Sequence, residues 1–255
     1  MPFRFLRCAE DGAVLRVTLA RPPLNILTID MMEELNAALE AAVARPRLKV
    51  VLLAAEGKAF SAGVAIEDHQ GDRVKPMLES FHRIFRQLQS LDCVTVASVQ
   101  GAALGGGAEL ATFCDVVIAA DTATLGQPEI KVGVFPPIAA LHYPVRVGPH
   151  RALRLLLTGE VIGAAEAERI GLVNRVVPEH RLKEAEEALL GKLLDLSSVA
   201  IRASKMAMAV SFNELFERAL DEIEAIYLNE LVPTEDGREG LQAFLEKRAP
   251  VWRER

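Results

Sequence analysis

Cysteine is scarce in this chain of 255 residues: only Cys8, Cys93 and Cys114 occur, an odd number without metal-ligand spacing. That excludes the disulfide framework of small secreted domains and fits thiols held reduced. Basic clusters are also missing. Lys and Arg total 29 against 35 Asp and Glu, a net charge of -6 with no basic block, so charge points neither to nucleic acid nor to an anionic membrane surface. No run approaches the ~20 apolar residues of a membrane span, and the first residues, Met1-Pro-Phe-Arg-Phe-Leu-Arg7, hold no apolar signal-type segment. The cytoplasm is the expected location, with neither nucleic acid nor membrane as partner. The histidines His69, His82, His142, His150 and His180 show no H-x-H or H-E-x-x-H spacing, so no metal site is expected.

What is present is an ordinary globular composition, 51% apolar and 25% charged, long enough for one large domain or one with an appendage. Residues 14–19 alternate as a strand and are closed by Arg21-Pro22-Pro23. Asp30 then reads as the cap of a helix carrying Met31, Leu35, Leu39 and Val43 on one face, ended by Pro46. Residues 49–54, 94–99 and 115–119 are continuous apolar strands, a pattern that implies burial on both faces. Met77, Phe81, Ile84, Phe85 and Leu88 fall at helical spacing. Phe135-Pro136-Pro137 reads as a chain break, 153–157 and 164–170 as helices, and 172–177 as the last strand. Beyond Pro178 the pattern is helical, over 182–194, 200–210, 212–231 and 234–247, the last opened by Thr234-Glu-Asp. The expected class is α/β, with a composition shift near residue 195 dividing an α/β body, 1–195, from an all-helical region, 196–255.

The stretch around which the body is organised is Gly101-Ala-Ala-Leu-Gly105-Gly106-Gly107-Ala108-Glu109-Leu110. Its glycines fall where a buried strand feeds a helix, a turn whose free N–H groups suit negative charge. A dinucleotide fingerprint fails here, because Leu110 takes the third glycine position and Glu109 would repel a pyrophosphate. A phosphate loop fails too, since no Lys-Ser or Lys-Thr follows. Glu109 taken alone is compatible with simple complementation of the helix dipole.

A second loop, Phe60-Ser61-Ala62-Gly63-Val64, also follows a buried strand, so the two loops can meet at one sheet edge. Two N–H donors aimed at one carbonyl oxygen would make an oxyanion hole. Ser61 lacks the G-x-S-x-G elbow of serine hydrolases. A second acid, Glu129 in Gly126-Gln-Pro-Glu129, lies twenty residues after Glu109. Two carboxylates at one site suit general acid-base work, burial and mutual repulsion keeping one protonated near neutral pH.

In order along the chain, Ala59-Phe-Ser-Ala-Gly63, the glycine stretch to Leu110, Phe113-Cys-Asp115, Gly126-Gln-Pro-Glu129, Leu157-Thr-Gly159, Gly171-Leu-Val173 and Phe244-Leu-Glu-Lys-Arg248 resemble the signatures of the enoyl-CoA hydratase/isomerase (crotonase) family. The resemblance implies a spiral of β-β-α units with a C-terminal helical trimerisation region, assembled as a homotrimer or dimer of trimers. It implies an acyl-CoA substrate and no separate cofactor, coenzyme A being part of the substrate. Position by position, Val64 and Gly106 match the oxyanion-hole donors, and Glu109 and Glu129 the paired catalytic glutamates. Ser61, Ala62, Gly63, Val64 and Ile66 match the segment that runs along coenzyme A, with Gly105 beside it. Lys247 and Arg248 are candidates for its phosphates by charge alone, or else part of a solvated helix face.

Two departures from the family pattern bear on substrate. Ala65 stands where many relatives have Asp, and Pro136-Pro137 replaces a glycine-rich stretch beginning Pro-Gly. With Glu67-Asp-His69 and Tyr227-Leu-Asn-Glu230, the double proline looks like the branch that hydrates cyclohexa-1,5-diene-1-carbonyl-CoA in anaerobic benzoyl-CoA breakdown. The alternatives are a straight-chain 2-enoyl-CoA hydratase, an enoyl-CoA isomerase, and a non-catalytic acyl-CoA-binding protein.

Overall fold

Every second residue of the strand β3 (Val50–Ala55) faces the opposite side of its sheet, and both sides are covered. Val50 and Leu52 pack with Val14, Val96 and Leu190, while Val51 and Leu53 enter the main core. Burial on both faces, expected from the unbroken apolar run, is therefore what this strand has. The structure is a computed structural model that describes residues 3–45 and 47–254, with the side chains of 211–215 left aside. The helix-ending role read for Pro46 lies outside the described residues.

β1 (Leu6–Asp11) is antiparallel to β2 (Val14–Leu19), after which β3, β5 (Val94–Val99), β7 (Val116–Ala120) and β10 (Arg175–Val177) continue in parallel, giving a six-stranded sheet ordered β1-β2-β3-β5-β7-β10. A smaller sheet is built from three-residue strands: β4 (Ala59–Ser61), β6 (Ala102–Leu104), β8 (Thr124–Gly126) and β9 (Val161–Gly163), the last antiparallel to its neighbour. β4 and β6 were expected as loop, because three residues are too few for a period of two to show. Each turn of the chain thus runs long strand, short strand, helix. The helices that close these units are α2 (Val74–Ser90), α3 (Gly106–Phe113) and α4 (Pro137–Val147). This is a spiral of β-β-α units, the α/β class expected.

Three helical readings change. The first helix, α1 (Ile29–Val43), is capped by Thr28, whose Oγ1 accepts from the Met31 N–H at 3.4 Å, and Asp30 sits inside its first turn. Pro136-Pro137 does not break the chain but starts α4, because proline at the first helical position needs no N–H and has the right φ. Past α5 (Pro149–Thr158), α6 (Ala164–Arg169) and α7 (Leu182–Leu194), the two helices expected over 200–231 form one, α8 (Ser198–Ala225). It passes into a π-helical turn, Ile226–Leu231, before α9 (Glu235–Leu245), which Thr234 caps through Gly237 N–H at 2.9 Å. No helix among the described residues is long and apolar enough to cross a membrane.

Candidate active site

β4 and β6 are adjacent parallel strands of the small sheet, so the chain leaves both at the same edge. The meeting of two loops read from the sequence happens here, at the short strands rather than at the long ones that precede them. After β4, Leu27 N–H donates to Gly63 O and Leu27 O accepts from Ala65 N–H, each at 2.9 Å. With both neighbours turned to Leu27, the Val64 N–H points the other way. After β6, Gly105 adopts φ 52° and ψ -130°, which side chains disfavour, and hands the chain to Gly106, the first residue of α3. The Gly106 N–H has no intrahelical partner. The two loops touch: a Cβ on Gly106 would lie 2.7 Å from Val64 Cγ2, and one on Gly63 3.7 Å from Gly106 N.

Asn25 braces this edge, and the sequence did not mark it. Buried at φ 49°, it donates from Nδ2 to Glu56 O at 2.8 Å and Ala59 O at 2.9 Å, while its own carbonyl accepts from Ser61 Oγ at 2.9 Å. Ser61 also accepts from the Gly63 N–H at 3.2 Å. Its side chain is thereby turned into the fold, and it is not on the cavity wall, whereas Ala62, Gly63, Val64, Ile66 and Gly105 are.

Glu109 stands one turn into α3, 2% exposed, with Oε1 accepting from the Ala139 N–H at 2.7 Å and further held by that of Ile138. Both donors are first-turn N–H groups of α4, so Glu109 serves that helix as a distant cap. Burial pushes the Glu109 carboxyl up to about 7, the two N–H groups opposing it. Glu129 comes from the 3₁₀ turn Pro128–Val132 after β8. Its Oε1 lies over Gly105, 2.4 Å from where a Cβ would be, and its Oε2 is buried without a hydrogen-bond partner among the described residues. Burial, then the Glu109 charge, raises it well above the usual range. The pair is therefore unequal: Glu109 is stabilised as an anion by two donors, and Glu129 is held as the acid.

Both carboxyls and both loops line one cavity of about 940 Å³. Part of its wall is apolar and aromatic, with Phe81, Phe135, Pro136, Pro137 and Tyr227, and part is polar, with Glu67, Asp68, His69 and Arg73. Behind the carboxyls runs a buried polar chain. Gln127 donates to Tyr143 Oη at 2.9 Å, Thr112 Oγ1 lies 3.1 Å from His142 Nε2, and His142 Nδ1 donates to Ile138 O at 2.7 Å. Burial lowers His142 to about 3, so it is a neutral core imidazole supporting α4. Spacing gives no signal for this chain, because its members meet only in the fold. The Arg248 guanidinium is engaged by Glu239, at 2.5 and 2.9 Å, and by Glu246. Lys247 lies outside the cavity wall, on which Arg21 and Lys131 supply positive charge.

Known proteins resemble this chain over nearly its whole length. The family model for enoyl-CoA hydratase/isomerase matches residues 9–255. A cyclohexa-1,5-dienecarbonyl-CoA hydratase of Thauera aromatica is 38% identical over 251 residues, 96% of this chain and 95% of its own. A crotonyl-CoA hydratase of Syntrophomonas wolfei is 38% identical over 246 residues, 94% and 93% of the two chains. The crystal structure of an enoyl-CoA hydratase from Mycobacterium avium subsp. paratuberculosis superposes with a TM-score of 0.89 at 30% identity, covering 99% of this chain and 100% of that one. With the β-β-α spiral and two buried glutamates beside a pair of glycine loops, these matches establish that the chain belongs to the enoyl-CoA hydratase/isomerase family.

Proposed function

We propose that the chain adds water to a conjugated enoyl- or dienoyl-CoA thioester, with cyclohexa-1,5-diene-1-carbonyl-CoA as the preferred substrate. The observation that carries this reading is the unequal pair Glu109 and Glu129, buried over one cavity beside the Val64 and Gly106 N–H groups. The two carboxyls hold one water. Ionised Glu109 takes a proton from it as the water oxygen bonds to the β carbon. The double-bond electrons pass to the α carbon and thioester oxygen, which becomes an enolate stabilised by the two N–H groups. Glu129 then delivers its proton to the α carbon on the same face. The proton on Glu109 returns to Glu129 between the paired carboxyls, restoring the starting state. The backbone over 61–66 is the segment along which coenzyme A would lie.

The ring-shaped substrate is supported by the aromatic and proline part of the cavity wall. Phe135 and Tyr227 meet edge to face, with centroids 5.3 Å apart, and Pro136-Pro137 fixes the backbone beside them. Flat, stiff surfaces suit a planar ring better than a flexible chain. Purified protein given crotonyl-CoA and the cyclic dienoyl thioester, with loss of conjugated absorbance followed, is expected to show kcat/KM at least about tenfold higher for the ring, the discrimination one pocket can supply. The reverse ranking would favour the straight-chain hydratase. Double-bond migration without water uptake would favour the isomerase, and binding without turnover an acyl-CoA carrier.

The same reading assigns residues 196–255 to assembly as a trimer or dimer of trimers. Val199, Met206, Met208 and Val210 of α8 are 74%, 62%, 84% and 70% exposed, apolar side chains that a neighbouring subunit would cover. Sedimentation velocity is expected to give three or six times the 27.8 kDa chain mass; a monomer would refute the assignment.

A further inference from the structure

Both tyrosines of the chain are buried, and they differ in what their hydroxyls do. Tyr143 accepts from Gln127. Tyr227, 1% exposed, makes no hydrogen bond among the described residues, yet its hydroxyl is not sealed off with the buried unpartnered atoms. It is instead part of the cavity wall that carries Glu109 and Glu129. A buried phenol normally has a partner, so a hydroxyl opening on a reactive cavity implies one that enters with the ligand.

The backbone puts it there by an unusual device. Tyr227 sits in the six-residue π-helical turn Ile226–Leu231, a wider winding that re-aims side chains and is common at functional sites. Its ring is then fixed edge to face on Phe135, at 74°. Burial first, and then the charges of Glu129 and Glu109, push its pKa up, which keeps the phenol protonated. The cavity that holds the pair thus has a phenol in its wall, beside the apolar Phe135 on which its ring packs.

We propose that Tyr227 is a further catalytic residue, donating its phenolic O–H to the oxygen held between Glu109 and Glu129, the water before addition and the new hydroxyl of the product afterwards. This rests on the hydration reading for its kinetic part only. The donor orients the water lone pair toward the β carbon, and in the product it recognises a 3-hydroxyacyl group against its deoxy counterpart.

Two measurements test it. In hydration assays, Tyr227→Phe is expected to lower kcat about ten- to hundredfold with KM within about threefold, the loss of one oriented donor. In calorimetric titration, the unaltered protein is expected to bind 3-hydroxybutyryl-CoA about tenfold more tightly than butyryl-CoA, and Tyr227→Phe to bind them equally. Phe135→Leu, which removes the supporting ring and leaves the hydroxyl, should weaken both ligands and keep the preference. The proposal is overturned if the unaltered protein shows no preference, if Tyr227→Phe keeps both rate and preference, or if Phe135→Leu abolishes the preference equally. A protein that hydrates neither thioester but shows the Tyr227-dependent preference would remove the hydration reading and leave this site standing.

Discussion

Glu109→Gln is expected to lower kcat for hydration by about 10²- to 10⁴-fold, the range for loss of a positioned base, while acyl-CoA affinity stays within about threefold. The amide is nearly isosteric, and its oxygen can still accept from the Ala139 N–H that now holds Oε1 at 2.7 Å. Geometry is therefore kept and only proton transfer is lost. Retained turnover would remove Glu109 from the mechanism.

The pH dependence follows from the same two groups. With Glu109 near 7, its anion gains as pH rises through that value, so kcat/KM should climb there and fall at higher pH, where Glu129 gives up its proton. The limbs belong to the pair as a whole. Stability runs the opposite way. A carboxyl raised from 4.5 to about 7 in the fold contributes stability that is complete below 4.5 and lost as pH rises through about 7. Glu109→Gln should then melt above the unaltered protein at pH 8 and close to it at pH 4, a cost in stability that the site carries for its function. Melting curves at both values decide this.

Gly105→Ala should damage the site directly, although it exchanges only a single hydrogen for a methyl. At φ 52° and ψ -130° a side chain is strained by about 1–3 kcal/mol, a fall in Tm on the order of 2–12 °C for a chain of this size. The added methyl would also stand 2.4 Å from Glu129 Oε1, so the carboxyl must move. Displacement of about 1 Å costs about a hundredfold in rate, and kcat should fall by at least that. Gly191→Ala is the control: Gly191 lies in α7 with nothing within 4 Å of an added Cβ, and alanine there should raise stability by up to about 1 kcal/mol. Equal kinetics for the two variants would show that Gly105 matters to folding alone.

Much of this was readable in advance because local chemistry and burial agree. β3, β5 and β7 announced themselves as unbroken apolar runs, β2 by its alternation, and Glu109 as an acid out of place beside glycines, whereas the polar edge strand β1 gave no signal. What stayed hidden was set by distance along the chain. The small sheet has strands of three residues, below any periodic signal, yet it is the edge on which both loops are mounted. Asn25 and His142 look like any polar residue until Ser61 and Ile138 are brought to them. Pro136-Pro137 was read as punctuation, where its missing N–H groups leave Ile138 and Ala139 as the donors for Glu109. The break expected near residue 211 is absent because a serine within a helix costs only a few tenths of a kcal/mol, too little to interrupt packing that holds Phe216 and Leu220 in the core.

The alternation of long and short strands has a consequence for how such a site can be modified. Val64 belongs to the β3-β4-α2 unit, Gly106 and Glu109 to β5-β6-α3, and Glu129 with the proline wall to β7-β8-α4. On the proposed roles, each successive unit would contribute its own instrument, mounted at the end of its own short strand: one donor from the first, a donor and a base from the second, an acid and the acyl wall from the third. The proposed reaction would in this sense be modular, with the acyl wall, and so the substrate range, placed in the third module. On that reading, changes after β8 would retune what is accepted while the two loop N–H groups, built two modules earlier and completed in the second, stay intact.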